Sequence, residues 1–296
     1  MKKAFLQLHA AVFLAGFTGI MGRLITLNAG LLVWYRLLIT VVAMWLLFHF
    51  TGKLVKVTRK DMLKLTGIGF LSAMHWLTFY ASIKTSNVSV ALVCFSAVGF
   101  FTALLEPFLL KKKMNRTELL LGILVMIGIY IIFHFDVDYK TGILLGVSSA
   151  VLLAASMIYF KVYVTKLGSE TTLTYQLSGA LLTLSIVMPF YLFQFPTGYL
   201  FPNAEDWFWL LILSLFCSVL AFQLTGQAIK KLSAFTVNLT FNLEPVYGIV
   251  LAFIIYKENQ LLNKWFFVGI ALVAISLIIH IFLLVKVERD LTHEEK

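Results

Sequence analysis

A carboxylate and a proline lie together in the middle of a long apolar run, residues 233–256. Glu244 and Pro245 are the pair. A carboxylate at the centre of a membrane helix costs about 2.5 to 3.5 kcal/mol on insertion scales, so such residues usually serve the passage of a substrate or an ion. Three further polar residues of the same run indicate a lined cavity rather than contact with lipid: Asn238, Thr240 and Asn242.

Two roles are open for each member of the pair. Glu244 could exchange protons or hold a cationic group, or it could be a structural carboxyl group hydrogen-bonded between helices. Pro245 has no backbone N–H and frees a carbonyl one turn earlier, at or next to Phe241. It could therefore act as a hinge or only shape the packing of a kinked helix.

Other candidate residues lie on three further predicted helices. Arg36 is too deep for comfortable exposure, and an intramembrane arginine needs an anion, a carbonyl or a carboxylate as partner; binding a substrate carboxylate and tying helices together are both open. On one helix, His75, Trp76 and Tyr80 could line an aromatic pocket or be packed in the core. Gln223 and Gln227 share a helix face, and hydrogen bonding between helices would explain them without a substrate.

The elements that must position these residues are membrane helices. The chain has 296 residues, of which 60% are hydrophobic and 13% charged, well below the roughly 25% charge of soluble domains. Apolar stretches long enough to cross a hydrocarbon core of about 30 Å recur along the whole length. We therefore expect an all-α integral membrane protein without a soluble domain, whose basic N-terminal stretch is a first membrane helix and not a cleaved signal.

The apolar runs predict about ten transmembrane helices. They begin near Phe5, Leu31, Leu63, Val88, Leu119, Ile143, Leu173, Trp207, Ala234 and Leu262. If the N-terminus is cytoplasmic, sixteen basic residues lie on that side: Lys2, Lys3, Lys53, Lys56, Arg59, Lys60, Lys111, Lys112, Lys113, Arg116, Lys166, Lys230, Lys231, Lys286, Arg289 and Lys296. Five lie opposite: Arg23, Lys84, Lys140, Lys257 and Lys264. The positive-inside rule then predicts two cytoplasmic termini and explains most of the net charge of +10 without nucleic acid.

The chain also shows signs of an internal duplication. Ile83, Phe95 and Lys111 line up with Ile229, Phe241 and Lys257 at a constant offset of 146 residues. Tyr35-Arg36 lines up with Tyr175-Gln176 at an offset of 140. The first five helices would thus be repeated by the last five. Because five is an odd number, the second copy starts on the opposite face of the membrane from the first. We expect two inverted repeats, residues 1–136 and 137–286, and a short charged cytoplasmic tail, residues 287–296.

At this point the sequence resembles the EamA-type permeases of the drug/metabolite transporter superfamily. The resemblance rests on the start of the second helix, Trp34-Tyr35-Arg36-Leu37-Leu38, and on Phe241-Asn242-Leu243-Glu244-Pro245-Val246-Tyr247. It also rests on the Glu-containing turn Tyr256-Lys257-Glu258-Asn259-Gln260. The resemblance implies a fold of two five-helix halves and the function of a permease. The first half departs from the pattern, because Gly99 is the counterpart of Pro245 and Lys112 the counterpart of Glu258.

These observations favour a secondary transporter, permease or exporter, of a small polar metabolite such as an amino acid, working by alternating access. The sequence contains no G-x-x-x-x-G-K-[ST] motif for nucleotide-driven pumping, and proton coupling through Glu244 or His75 and facilitated diffusion are both open. We expect no cofactor, no metal and no catalytic residue, and a multi-pass location in the inner (plasma) membrane. The alternatives are an integral-membrane enzyme on lipid-linked substrates, for which His134, Asp136 and Asp138 are the compact candidates, and a non-transporting scaffold.

Overall fold

A computed structural model describes residues 2–111, 113–135, 137–229, 231–232 and 234–294, and all regular secondary structure in these ranges is helical. The first half contains six α-helices: α1 (Lys2–Leu24), α2 (Ala29–Phe50), α3 (Arg59–Thr85), α4 (Val88–Phe95), α5 (Val98–Leu110) and α6 (Arg116–Phe135). Lys112, Asp136, Lys230 and Lys296, which the sequence argument used, lie outside the described residues.

The second half begins with a 3₁₀ turn (Val137–Tyr139) and continues with α7 (Lys140–Leu167) and α8 (Ser169–Gln194). A long helical stretch then contains α9 (Ala204–Leu211), a π-helical segment (Ile212–Leu220) and α10 (Ala221–Ile229). The last elements are α11 (Ala234–Phe241), α12 (Glu244–Tyr256), a 3₁₀ turn (Glu258–Gln260) and α13 (Lys264–Glu294). Every predicted helix start lies within four residues of an observed one.

Eight helical stretches in the described ranges are long and apolar enough to cross a membrane. They are α1, α2, α4 with α5, α6, α7, α8, the stretch from α9 to α10, and α13. The sequence prediction of an all-α membrane protein is confirmed. The outer surfaces of these helices carry many exposed large apolar side chains, such as Phe50, Phe108, Ile186 and Phe282, as expected of helices that contact lipid.

Two helices are broken at equivalent points. Residues 96–97 separate α4 from α5, and residues 242–243 separate α11 from α12. The starts and ends of α11 and α12 are those of α4 and α5 shifted by 146 residues, 234 against 88 and 256 against 110. Lys111 and Lys257, which follow α5 and α12, both adopt left-handed backbone conformations, with φ of 53° and 54°. The offset read from the sequence therefore extends to the backbone.

The break in the second half corrects one sequence expectation. Residues 233–256 do not form one kinked helix, because α11 ends at Phe241 and Glu244 is the first residue of α12. Pro245 stands in the first turn of α12, where a missing N–H costs no intrahelical hydrogen bond. The backbone carbonyl of Phe241, which Pro245 was expected to free within one helix, instead lies at the end of α11.

Helices cross closely where glycine removes a side chain. A Cβ atom added at Gly69 of α3 would lie 2.2 Å from the carbonyl oxygen of Gln176 in α8. One added at Gly16 of α1 would lie 2.8 Å from the carbonyl oxygen of Glu244, and one at Gly248 would lie 2.9 Å from the carbonyl oxygen of Gly16. These crossings fix α8 against α3 and the first turn of α12 against α1.

Candidate functional site

The candidate site is built around the buried side chain of Arg36 in the second helix. Arg36 is 4% exposed. Its Nη1 donates to the Tyr80 hydroxyl at 2.7 Å, and its Nε and Nη2 donate to Ser218 Oγ at 3.2 Å and 3.0 Å. A guanidinium has five N–H groups, so two of them, one on each terminal nitrogen, have no acceptor among the described residues. A pair of this kind matches the two oxygens of a carboxylate.

Ser218 reaches Arg36 from the π-helical segment between α9 and α10. The Ser218 hydroxyl also donates to the carbonyl of Leu213, five residues earlier, at 3.1 Å. Ser214 of the same segment donates to the backbone carbonyl of Arg36 at 3.3 Å. Wider π turns alter which side chains share a face, and they are frequent at functional sites. Here the segment brings two hydroxyl groups to one residue of α2.

Helix α3 supplies the aromatic wall of the site. The guanidinium carbon of Arg36 lies 4.5 Å from the ring centroid of Trp76 and 5.8 Å from that of Tyr80. Trp76 and Tyr80 are four residues apart and therefore share a helix face. A cation over the face of a tryptophan ring is attracted by the ring quadrupole, so Trp76 and Tyr80 hold the Arg36 charge without neutralising it.

An acidic side chain, that of Glu244, also belongs to the surroundings of Arg36 and Tyr80. Its side chain is half-buried at the start of α12, and it interacts electrostatically with Arg36. No hydrogen bond or direct ion pair to the Glu244 carboxylate is formed by the described residues. Asn242, in the break before α12, is also half-buried. The site thus contains opposite charges on α2 and α12 that do not bond to each other.

The other predicted site residues make different contacts. His75 is 4% exposed, and its Nδ1 lies 2.7 Å from Ser149 Oγ and 3.1 Å from the Ser149 carbonyl oxygen, so this ring nitrogen is held by α7. Gln227 accepts a hydrogen bond from Gln7 Nε2 at 2.7 Å, so it ties α10 to α1. Gln223 is half-buried. The Asn238 side chain lies outside what the structure describes.

Ser218 was missed by the sequence argument, although the repeat contained a signal for it. The offset of 146 relates Ser218 to Ser72, as the offset of 140 relates Arg36 to Gln176. Gln176 Nε2 donates to Ser72 Oγ at 2.7 Å, which is the counterpart of the bond from Arg36 to Ser218. The first pair joins α8 to α3 and the second joins α2 to the π-helical segment. Each bond therefore connects one half of the chain to the other, but only one carries a charge.

Among the described residues, no group of three or more His, Cys, Asp or Glu side chains could hold a metal ion. Cys94 and Cys217 are both free thiols and both buried. The Arg36 site offers charge, hydrogen-bond donors and aromatic contact.

Comparisons with known proteins agree with this architecture. The sequence matches the EamA-like transporter family twice, over residues 2–134 and 140–280. It is 27% identical over 287 residues to the uncharacterised transporter YetK of Bacillus subtilis (strain 168), covering 91% of this chain and 84% of that protein. It is 27% identical over 157 residues to an uncharacterised transporter of Haemophilus influenzae (strain ATCC 51907 / DSM 11121 / KW20 / Rd), covering 50% of this chain and 51% of that protein.

A solved structure supports the same fold. It is a crystal structure described only as that of a protein, with a TM-score of 0.62 and 12% sequence identity, and the match covers 93% of this chain and 95% of that one. At this identity the likeness concerns the fold alone. The two family matches together cover nearly the whole chain, so the protein belongs to the EamA-like transporter family, with two copies of the family unit.

Proposed function

We propose that this membrane transporter carries a small polar metabolite, such as an amino acid or a related compound, by alternating access between two inverted repeats. The observation that carries the proposal is that Arg36 and Glu244 lie in the interior and interact electrostatically without a hydrogen bond or ion pair between their side chains. A fixed cation and a fixed anion that do not bond to each other can each take one end of a zwitterion. The binding of both ends would recover the interactions that the two residues lack without a ligand.

The proposed membrane arrangement has ten spans. Eight are the long apolar stretches described above. A further proposed span is α3, whose 27 residues give a length of about 40 Å at 1.5 Å per residue. The polar side chains Ser72, His75 and Ser82 of α3 are buried against other helices. The tenth is α11 with α12, interrupted at the Glu244 site. Discontinuous helices of this kind form the substrate sites of many transporters built from repeats.

The topology follows from the basic residues. With sixteen Lys and Arg residues on one side and five on the other, the positive-inside rule favours cytoplasmic N- and C-termini. The inner (plasma) membrane is the proposed location. The proposed units are residues 1–136, residues 137–286 and a charged cytoplasmic tail, residues 287–296; the family matches over 2–134 and 140–280 support this division.

In the proposed mechanism, the two free N–H groups of Arg36 bind the carboxylate of the substrate. Ser218 and Tyr80 hold the guanidinium in one orientation, and Trp76 covers its face. Glu244 binds the ammonium group from the first turn of α12, with Asn242 beside it in the break. Because α2 and α12 belong to different repeats, the substrate would bridge the two bodies whose relative movement opens and closes the path.

Glu244 is also the residue at which we propose proton coupling. Its carboxylate can gain and lose a proton without breaking a hydrogen bond to any described residue, whereas His75 is held by Ser149. Uptake into proteoliposomes, measured with and without an imposed pH gradient, tests this step. Flux that does not respond to the gradient would contradict coupling and leave facilitated transport.

The substrate test is a metabolite screen on cells that overproduce the protein. Export of amino acids and resistance to their toxic analogues are compared for the wild type, Glu244→Gln and Glu106→Gln. Glu106 is the matched control, because it also precedes a proline but lies near the end of α5 and not at a break between two helices. We expect export of at least one compound by the wild type and by Glu106→Gln, and none by Glu244→Gln. Equal export by all three would refute the site.

A further inference from the structure

Outside the Arg36 site, one carboxylate has all of its hydrogen-bonding capacity used. Glu258, in the turn between α12 and α13, is fully buried. Its Oε1 accepts from Arg23 Nη1 at 2.6 Å and from the Val88 backbone N–H at 3.1 Å. Its Oε2 accepts from the Ser89 backbone N–H at 2.8 Å and from Ser89 Oγ at 2.6 Å. Four donors match the roughly four lone-pair sites of a carboxylate.

These contacts join the two repeats at one end of the helix bundle. Glu258 belongs to the second repeat, whereas Arg23 lies in the last turn of α1 and Ser89 in the first turn of α4, both in the first repeat. Next to them, the Tyr256 hydroxyl donates to the carbonyl of Ile20 at 2.9 Å, and the guanidinium of Arg23 lies 4.3 Å from the Tyr256 ring centroid. We call Arg23, Ser89, Tyr256 and Glu258 the Glu258 latch.

The packing of the two broken helices differs between the two ends of the bundle. Adjacent to the latch, α4 packs against α12, and the side chain of Leu92 lies over Gly248, where an added Cβ atom would come within 2.4 Å of Leu92 Cδ1. Within the described residues, α5 and α11 show no comparable packing. The broken helices therefore meet at the latched end and are not joined in this way at the other.

The sequence has a residue of opposite charge at the counterpart position of Glu258. The offset of 146 relates Glu258 to Lys112 and the start of α4 to the start of α11. A lysine ammonium group has three donors and no acceptor, so it cannot accept hydrogen bonds from the first N–H groups of a helix. The two halves therefore differ in sequence at the position of Glu258.

We propose that the Glu258 latch is the gate at the non-cytoplasmic end of the transport path, and that it holds the resting protein closed there and open toward the cytoplasm. The inference rests on the proposed function and on its topology. Substrate would then load from the cytoplasmic side, and its binding between Arg36 and Glu244 would have to offset the latch before release on the other side. This order is that of an exporter.

The test measures access to the site and needs no substrate. Cys217, adjacent to Ser218 in the π-helical segment, is the reporter, in a Cys94→Ala background so that one thiol remains. Intact cells are treated with a membrane-impermeant maleimide, which reaches the protein only from the non-cytoplasmic side. We expect little labelling in the parent and labelling at least about tenfold faster in Glu258→Gln, a change that corresponds to about 1.4 kcal/mol in the open fraction.

The matched control is Glu205→Gln, which removes an exposed acidic residue from the first turn of α9. Glu205→Gln should label like the parent. Size-exclusion chromatography checks that each variant is folded. If Glu258→Gln does not fold, Ser89→Ala decides the question, because it keeps the carboxylate and removes one of its four donors. Ser89→Ala should label faster than the parent, and equal labelling would overturn the latch.

A gain-of-latch variant tests the asymmetry directly. Lys112→Glu supplies a carboxylate at the counterpart position, so we expect it to slow labelling of Cys217 from the cytoplasmic side in inverted membrane vesicles. Equal labelling of folded Glu258→Gln and Glu205→Gln in cells would overturn the latch, even if the transport assays succeed. Faster labelling of Glu258→Gln only in inverted vesicles would overturn its proposed location. A change in access without any transported substrate would support the latch and count against the proposed function alone.

Discussion

The crossing of α3 and α8 at Gly69 gives a sharp prediction for stability. A Cβ atom at this position would lie 2.2 Å from the Gln176 carbonyl oxygen and 2.5 Å from the Ala180 nitrogen. Both are backbone atoms of α8, so the steric clash can be relieved only by moving that helix. Overpacking of this kind typically costs about 1 to 3 kcal/mol. Gly67 lies two residues earlier in α3, and an added Cβ atom there would meet nothing within 4 Å.

The two alanine variants share the same gain in helix propensity, about 1 kcal/mol per glycine replaced. The difference between them therefore isolates the crossing. We expect Gly69→Ala to be less stable than Gly67→Ala by about 1 to 3 kcal/mol, with a lower Tm in thermal unfolding of the detergent-solubilised protein followed by tryptophan fluorescence. Gly67→Ala should equal or slightly exceed the wild type. Coincident melting curves for the two variants would refute the proposed closeness of α3 and α8.

Two further predictions concern the contact between the broken helices and the uncharged counterpart of the Arg36 site. Gly248→Ala would bring a Cβ atom to 2.4 Å from Leu92 Cδ1, so we expect the folded variant to transport more slowly than the wild type. The control Gly226→Ala, whose added Cβ atom would meet nothing within 4 Å, should transport normally. Equal rates for the two variants would contradict the close contact between α4 and α12. Gln176→Leu removes an amide oxygen without a hydrogen-bond partner in the described residues and also removes the hydrogen bond to Ser72, which keeps its bond to Ser156. Because the two effects oppose each other, we expect the unfolding free energy to change by less than about 1 kcal/mol. Gln176→Glu should lower the Tm further, because it buries an acidic group without a cationic partner; a Gln176→Leu variant that melts lower than Gln176→Glu would show that this reasoning is wrong.

Much of the fold could be read from the sequence because apolar length and charge placement constrain it strongly. The helix starts followed from the ends of the apolar runs, and the offset of 146 anticipated that α11 and α12 would repeat α4 and α5. The break before Glu244 was not predicted. An apolar run containing one proline is compatible with a kinked helix or with two helices, and the choice depends on packing against α1 at Gly16.

The site was predicted in part. Arg36, Trp76 and Tyr80 were each candidates from their residue types, but nothing in the sequence indicated that Arg36 of α2 would lie against the two aromatic rings of α3. Ser218 could have been found from its counterpart Ser72, but its contact with Arg36 depends on a π-helical segment that residue types alone do not encode. The role of Glu258 was missed for a different reason, since it arises between distant parts of the chain.

The central claim is that substrate crosses the membrane through the site between Arg36 and Glu244. Counterflow in proteoliposomes tests it most directly: vesicles of purified protein are loaded with an unlabelled amino acid identified in the screen, and entry of the labelled compound is followed. The account predicts transient accumulation by the wild type and by Glu106→Gln, and none by Glu244→Gln or by Arg36→Gln when these variants are folded. Undiminished counterflow in both folded site variants would contradict it.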